Sequence, residues 1–328
     1  MDNLKNISSI SLKKDFFYYL LPWGLGDSMI FCGLKDALEK KLGGKILPVI
    51  KPSHELIMKM YGIKSYVVVS MNAVETDQHK MLCTLAKKCP EPEQGKIYVA
   101  HPEFHNQFHY LMEELGNPSN DTKFLSWYKV FFGISLSEKL QLPLWYPEVS
   151  PDLEKRVKAL TGLSCRDVIM VLPEANSANG ISSDWWSKLL ENLPQDKLLT
   201  NITHIENFPE FQKIPNIELS LEEVTALALH CRQVYAVRSG LCDLIFSKGS
   251  DLHVFYPTRN IYSVFGLYDM FAFPGIHETV YEADFDEYVH IGVLPQQKTK
   301  LGFGKWLFCS KIRRYSFFGI NFFSMVEK

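Results

Sequence analysis

The sequence predicts an α/β protein of two domains, each a parallel sheet flanked by helices, facing one another across a cleft. Three observations lead there. Short apolar runs alternate with helical stretches in both halves of the chain, and strand–helix–strand alternation with short connections builds parallel βαβ units. A stretch with three prolines, QLPLWYPEVSP (141–151), breaks every period between those halves and reads as the linker. A length of 328 residues is long for one core and comfortable for two. Ligands of such sheets sit beyond the carboxyl ends of the strands.

The elements follow in order. DFFYYLLPW is a buried strand, and SMIFCGLKDALEKKLG a helix with Ile30, Leu34, Ala37, Leu38 and Leu42 on one face, closed by Gly43-Gly44. KILPVI is the next strand, SHELIMKMYG a short helix capped by Ser53, and SYVVVS a third strand. KIYVA reads as a strand, PEFHNQFHYLMEELG as a helix with Pro102 in its first turn, and FLSWYKVFFG as an aromatic helix packed on the sheet. The plan then restarts. DLEKRVKALTG, SSDWWSKLLENL, SLEEVTALALHC and GLCDLIFSKG are helices, interleaved with the strands DVIMVLP, KLLTNIT, QVYAVRS and DLHVFYP. Residues 1–146 form one domain, 147–290 the second, and 291–328 a basic and aromatic tail.

At 46% hydrophobic and 22% charged, the chain is ordinary globular protein. A net charge of −2 gives no case for nucleic acid as a partner. Seven scattered cysteines without a C-x-x-C pair argue against disulfides and a structural zinc site, and favour a reducing compartment. No signal peptide is recognised, and no uncharged apolar run reaches the roughly 20 residues of a membrane span. A cytoplasmic protein is expected.

Four places carry possible chemistry. In LLPWGLGDSMIF, Gly24 and Gly26 let the backbone approach a ligand, and Asp27 is either a helix cap or a general base accepting a proton from an acceptor hydroxyl. The spacing is not G-x-G-x-x-G, because the next glycine is Gly33. In YAVRSGLCDL a strand delivers Arg238, Ser239 and Gly240 into a helix start. That turn suits a diphosphate, or else Arg238 pairs with a carboxylate such as Asp243; spacing alone leaves both open. His105 and His109, with His101 before them, have the i, i+4 spacing of metal ligands, but nothing is spaced to complete the set, and no metal is expected. The tail interleaves Lys305, Lys311, Arg313 and Arg314 with aromatic residues. It reads as a C-terminal helix packed as core, or as a segment (301–328) lying on an anionic membrane surface.

GLGDSMIFCGLKDALEKKLGGKILPVIKPSHELIMKMYGI resembles the opening turn, helix and second strand of the ADP-heptose:lipopolysaccharide heptosyltransferases. SLEEVTALALHCRQVYAVRSGLCDLIFSKGSDLHVFYP resembles that family's late donor-binding block. The resemblance covers about residues 16 to 260. It implies a GT-B fold of two Rossmann-like domains, with Asp27 as catalytic base and Ser239 and Gly240 holding the donor pyrophosphate. It further implies that Asn176 and Ser177, in the loop PEANSANGISSDWW, touch phosphate. The chain departs from the family in three places. Arg238 stands where the family has Asp, Asp243 where it has His, and no lysine lies between Pro173 and Trp186, where the family carries one in its donor loop. Arg238 is expected to supply the missing cation.

The expected activity is metal-independent and cofactor-free transfer of a sugar from a nucleotide-diphosphate sugar. The acceptor is a bacterial-type surface glycan, lipopolysaccharide core or capsule, lipid-linked and met at the inner face of the cytoplasmic membrane. Arg238, Ser239, Gly240, Asp243, Asn176 and Ser177 make up the donor side. Two alternatives stand: a nucleotide-sugar epimerase-like enzyme on the same fold, or a degenerate, non-catalytic nucleotide-sugar-binding subunit, which the lost lysine favours.

Overall fold

Strand β1 (Phe16–Leu20) is paired on both sides, and this makes it the axis of the first of two units, Met1–Tyr146 and Pro147–Lys328. A computed structural model describes residues 7–111, 123–175, 181–246, 251–267, 276–282, 287–292, 307–308, 312–317 and 320–326. In the first unit β1 lies parallel between β2 (Lys45–Ile50) and β4 (Ile97–Val99), with β3 (Val67–Val68) outermost, in the order β3-β2-β1-β4. A strand covered on both faces must be apolar throughout, and Tyr18, Tyr19 and Leu20 are at most 1% exposed. Pro48 is tolerated in β2 because pairing with β3 starts only at Val49.

Helix α1 (Leu25–Leu42) starts one turn earlier than its apolar pattern suggests. Gly24 is the extended N-cap, and the Asp27 carboxylate accepts the Gly24 N–H at 3.0 Å. The stripe seen in the sequence describes only the second half of this helix, since Ser28 through Leu34 are all buried. Gly43, at φ 65°, ends it in the left-handed conformation that glycine adopts without strain. Gly33 has another task. A Cβ there would lie 2.5 Å from Leu140 Cδ1 and 2.7 Å from the Gln141 carbonyl oxygen, so the glycine lets the segment before the linker cross α1.

Three local expectations are corrected. Ser53 caps nothing, because Pro52–His54 is a 3-10 turn leading into α2 (Glu55–Met60). A helix α3 (Thr76–Lys88) stands where the sequence showed no stripe, and it buries only Leu82 and Ala86. The helix read from Pro102 is instead two 3-10 turns, Pro102–Phe104 and Asn106–Phe108, with residues 112–122 outside the described residues. His105 breaks it: its backbone is extended and its Nε2 bonds the Val99 carbonyl at 2.7 Å. Helix α4 (Phe124–Phe131) forms as expected, burying Trp127 and Tyr128.

The second unit starts with α5 (Pro151–Thr161), capped by Ser150, and builds a six-stranded sheet in the order β10-β9-β8-β7-β5-β6. The strands are β5 (Ile169–Leu172), β6 (Leu198–Thr200), β7 (Gln233–Val237), β8 (Leu252–Tyr256), β9 (Ile276–Glu282) and β10 (Glu287–Gly292). All neighbours are parallel except β9 and β10. The helices between them are α6 (Ser183–Glu191), α7 (Leu221–His230), α8 (Gly240–Ile245) and α9 (Arg259–Phe265). Trp185 and Trp186 of α6 pack against Phe211, Tyr235 and Phe255 over one face of the sheet.

The tail is not helical where it is described. β11 (Leu307–Phe308), β12 (Ile312–Phe317) and β13 (Ile320–Val326) form an antiparallel sheet, as aromatic and β-branched residues favour. Among the described residues no helix is long and apolar enough to cross a membrane.

Gly33→Ala tests the crossing at α1. Helix propensity alone favours alanine by about 1 kcal/mol. The methyl meets a backbone oxygen that cannot rotate away, so the account expects a net loss of about 1–3 kcal/mol in urea unfolding.

Candidate active site

In the first unit, the connections leaving β1 and entering β4 place those two strands side by side although they are far apart in sequence. Such a switch in strand order opens a crevice at the carboxyl ends. Three polar side chains come off those ends. Asp27 stands in the turn after β1, Lys51 directly follows β2, and His101 follows β4 by two residues.

Both Asp27 oxygens are held. Oδ2 accepts the Gly24 N–H at 3.0 Å, and Oδ1 accepts the Tyr128 hydroxyl at 2.6 Å. The cap and the site are therefore one group, and the two readings of Asp27 are not exclusive. Burial, then the negative charge of Asp27, raise the Tyr128 hydroxyl well above its ordinary range, so it stays a proton donor to the carboxylate. His101 Nε2 lies 3.8 Å from Asp27 Oδ1. Its Nδ1 accepts the Glu103 N–H at 3.3 Å, which puts the ring proton on Nε2, toward Asp27. Burial, aided by His105, lowers His101 to about 3, so the ring is neutral near pH 7. Lys51 is partly buried and lowered by that burial, with Asp27 opposing the shift. Trp23 and Trp127 wall the histidine at ring distances of 5.8 and 5.1 Å.

The opening turn is pinned from below. Ser28 Oγ meets His54 Nδ1 at 2.8 Å, both fully buried, and burial lowers His54 to about 3. Tyr128, His101 and Lys51 were not singled out as partners of Asp27 from sequence. The available signal was a polar residue at or just past a strand's carboxyl end, in KILPVIK and KIYVAH. A cavity of about 420 Å³ opens at the amino end of this sheet, lined by Phe16, Lys35, Glu39 and Lys45. Its Lys35 and Lys45 are spent on Glu39, at 2.6 and 3.0 Å.

The second unit has its own switch, between β5 and β7. Asn176 and Ser177, in the loop after β5, lie outside the described residues. Glu174, just before them, accepts the N–H groups of Thr203 and His204 at 2.8 and 3.0 Å and ties that loop to the one after β6. After β7, Ser239 is the N-cap of α8 with no side-chain cap bond, and Gly240 opens the helix.

Arg238 and Asp243 are bonded to each other. The guanidinium forks onto the carboxylate at 2.9 and 2.8 Å and donates through Nε to the Phe265 carbonyl at 2.9 Å. Both are buried, at 6% and 3% exposure. Burial raises the Asp243 carboxyl against the pull of Arg238; burial also opposes the charge of Arg238, but Asp243, Tyr256 and Cys242 together outweigh it and raise the guanidinium above its ordinary range. The ion-pair reading of Arg238 is therefore the one the geometry realises. Arg238 and Asp243, two of the three departures from the heptosyltransferase pattern, are thus partners of one another. His105 and His109 do not form the expected ligand pair: His105 lies between the two 3-10 turns with Nε2 on the Val99 carbonyl, and His109 follows the second turn with an exposed side chain.

Arg238→Ala leaves a buried carboxylate unpaired and is expected to cost about 3–5 kcal/mol in denaturant unfolding. Arg238→Met combined with Asp243→Leu is expected to recover most of that. Unchanged stability with weaker nucleoside diphosphate binding would make the guanidinium a ligand group instead.

No known family model and no curated protein matches the sequence. Solved structures do. The glycosyl transferase family 9 protein of Veillonella parvula aligns over 84% of this chain and 89% of its own, at 12% identity and a TM-score of 0.52. The E. coli ADP-heptose lps heptosyltransferase II aligns over 80% and 89%, at 12% identity and a TM-score of 0.49. The E. coli heptosyltransferase WaaC with ADP aligns over 82% and 94%, at 13% identity and a TM-score of 0.47. At such identities the likeness is one of fold: this chain has the GT-B fold, as its resemblance to the heptosyltransferases implied.

Proposed function

We propose that the chain is a glycosyltransferase that moves a sugar from a nucleotide-diphosphate sugar to the hydroxyl of a glycan, with Asp27 as general base. One observation carries the reading: a carboxylate fixed through both oxygens at the switch point of the first unit. Asp27 takes the proton of the acceptor hydroxyl as its oxygen bonds the anomeric carbon. The bond from that carbon to the diphosphate breaks, and its electron pair leaves with the diphosphate. The Gly24 and Tyr128 bonds orient the base, and the neutral His101 and the partly buried Lys51 stand beside it. Donor phosphates are assigned to the Ser239/Gly240 turn, with Asn176 and Ser177. Amides there meet charge as it develops, where fixed dipoles lower a barrier most.

The fold shared with a family 9 glycosyl transferase supports this class. A bacterial-type surface glycan, lipopolysaccharide core or capsule, is proposed as acceptor. The alternation of cations with aromatic residues in 301–328 supports a lipid-linked form met at the inner membrane face. The second reading, a non-catalytic nucleotide-sugar-binding subunit, is favoured by one fact. Arg238, the cation expected to replace the missing loop lysine, is spent on Asp243.

A thermal-shift panel of nucleotide sugars identifies the donor, since a ligand at a hundred times its dissociation constant stabilises by about 2.7 kcal/mol. With that donor and a lipid-linked glycan, Asp27→Asn is expected to keep fold and donor affinity while turnover falls roughly 10²-fold or more. Equal turnover in wild type and Asp27→Asn would leave Asp27 a helix cap. Donor binding with no transfer in wild type would establish the non-catalytic reading.

A further inference from the structure

Asp251, His253 and His277 of the second unit have no part in the sugar-transfer reading, and they converge. His253 and His277 are register partners on the parallel strands β8 and β9, so their side chains leave the same face of the sheet. Asp251, two residues before His253, points the same way. The imidazoles stack at 4.4 Å and 13°, and Tyr235, the register partner of His253 on β7, stacks on the other side at 4.3 Å and 11°. Stacking fixes the rings, and both turn Nε2 to one carboxylate oxygen. Asp251 Oδ1 is 3.4 Å from His253 Nε2 and 3.1 Å from His277 Nε2. The other oxygen, Oδ2, accepts the Gln233 amide N–H at 2.8 Å, which holds the carboxylate in that orientation.

We propose that these three residues bind a divalent transition-metal ion of the zinc class. One ligand atom from each lies within 4.8 Å of the others. Bond lengths of about 2.0–2.2 Å to nitrogen and oxygen put tetrahedral ligand atoms about 3.3 Å apart, close to the two Asp251 contacts. Two imidazoles and a carboxylate suit zinc, cobalt or nickel and not the all-oxygen shells of calcium and magnesium. The Asp251 and His277 side chains are 39% and 31% exposed, so an ion approaches from their side, while the Nε2 atom of His253 is buried. Gln233 acts as the outer partner that such carboxylates carry. All of these residues sit at the amino ends of β7, β8 and β9. Four residues of strand, or roughly 13 Å, separate Tyr235 from Ser239. The ion therefore clamps β8 to β9 away from the proposed donor turn, and the site stands or falls independently of the sugar-transfer reading.

Cobalt(II) is the probe, because thiolate ligation announces itself by a near-ultraviolet charge-transfer band and the chain has free cysteines that could compete. Full-length protein stripped with chelator is titrated with cobalt(II), and binding is followed by calorimetry, absorption and melting temperature. One ion per chain without a thiolate band, raising the melting temperature, is the expected result. His277→Ala and Asp251→Asn, each retaining the metal-free melting temperature of wild type, should each weaken binding roughly 10²-fold, and Gln233→Ala roughly ten-fold. No binding, a thiolate band, or affinity that survives both ligand substitutions would overturn the site and leave Asp251 as a carboxylate facing two imidazoles.

Discussion

The hold that Gly24 and Tyr128 keep on the Asp27 carboxylate is the contact around which the first unit is arranged. It joins residues 101 apart in sequence, and it does three jobs at once. Through Gly24 it ends the chain's exit from β1 and starts α1 a turn early. Through Tyr128 it ties that turn to α4, whose Trp127 and Tyr128 are buried beside His101. It also leaves the carboxylate at a carboxyl-end crevice, its side chain 18% exposed. A carboxylate with this many constraints has one orientation, and a proton acceptor in general-base catalysis needs one.

The second unit is arranged by a different pair. Arg238 and Asp243 bracket the turn that opens α8, and the guanidinium reaches on to the end of α9. The turn keeps its shape because the pair inside it is satisfied, and the backbone of Ser239 and Gly240 faces the switch point between β5 and β7. A cation buried this way organises amides; it does not itself present charge to a ligand. On the proposed function, diphosphate neutralisation would fall to the backbone dipoles of that turn.

The alternation of strands and helices was legible because each segment carries its own period, and LLPWGLGD and AVRSGL were legible as turns because glycines there follow a buried strand. What was not legible depends on contacts between segments. Tyr128 reads as one more aromatic of a packed helix, and only the fold aims its hydroxyl at Asp27. His105 and His109 look like neighbours on a helix until the Val99 carbonyl captures His105 and breaks the helix. Thr76–Lys88 was not legible as a helix, although Leu82 and Ala86, with Met81, Cys83 and Leu85 beside them, pack it into the first unit's core. Asp251, His253 and His277 needed the register of β8 against β9, which no local pattern encodes. Arg238 and Asp243 were legible as a possible pair, five residues apart, but the choice between pair and ligand group rested on burial.

The most direct measurement is the pH dependence of kcat/KM for sugar transfer in wild type and in Asp27→Asn. With Asp27 as the base, wild type shows an acid limb of unit slope that reports one carboxylate, while Asp27→Asn gives a low rate with that limb gone. His101, neutral down to about pH 3, contributes no break between there and neutrality. An acid limb that persists unchanged in Asp27→Asn would assign the proton to another group and contradict the account.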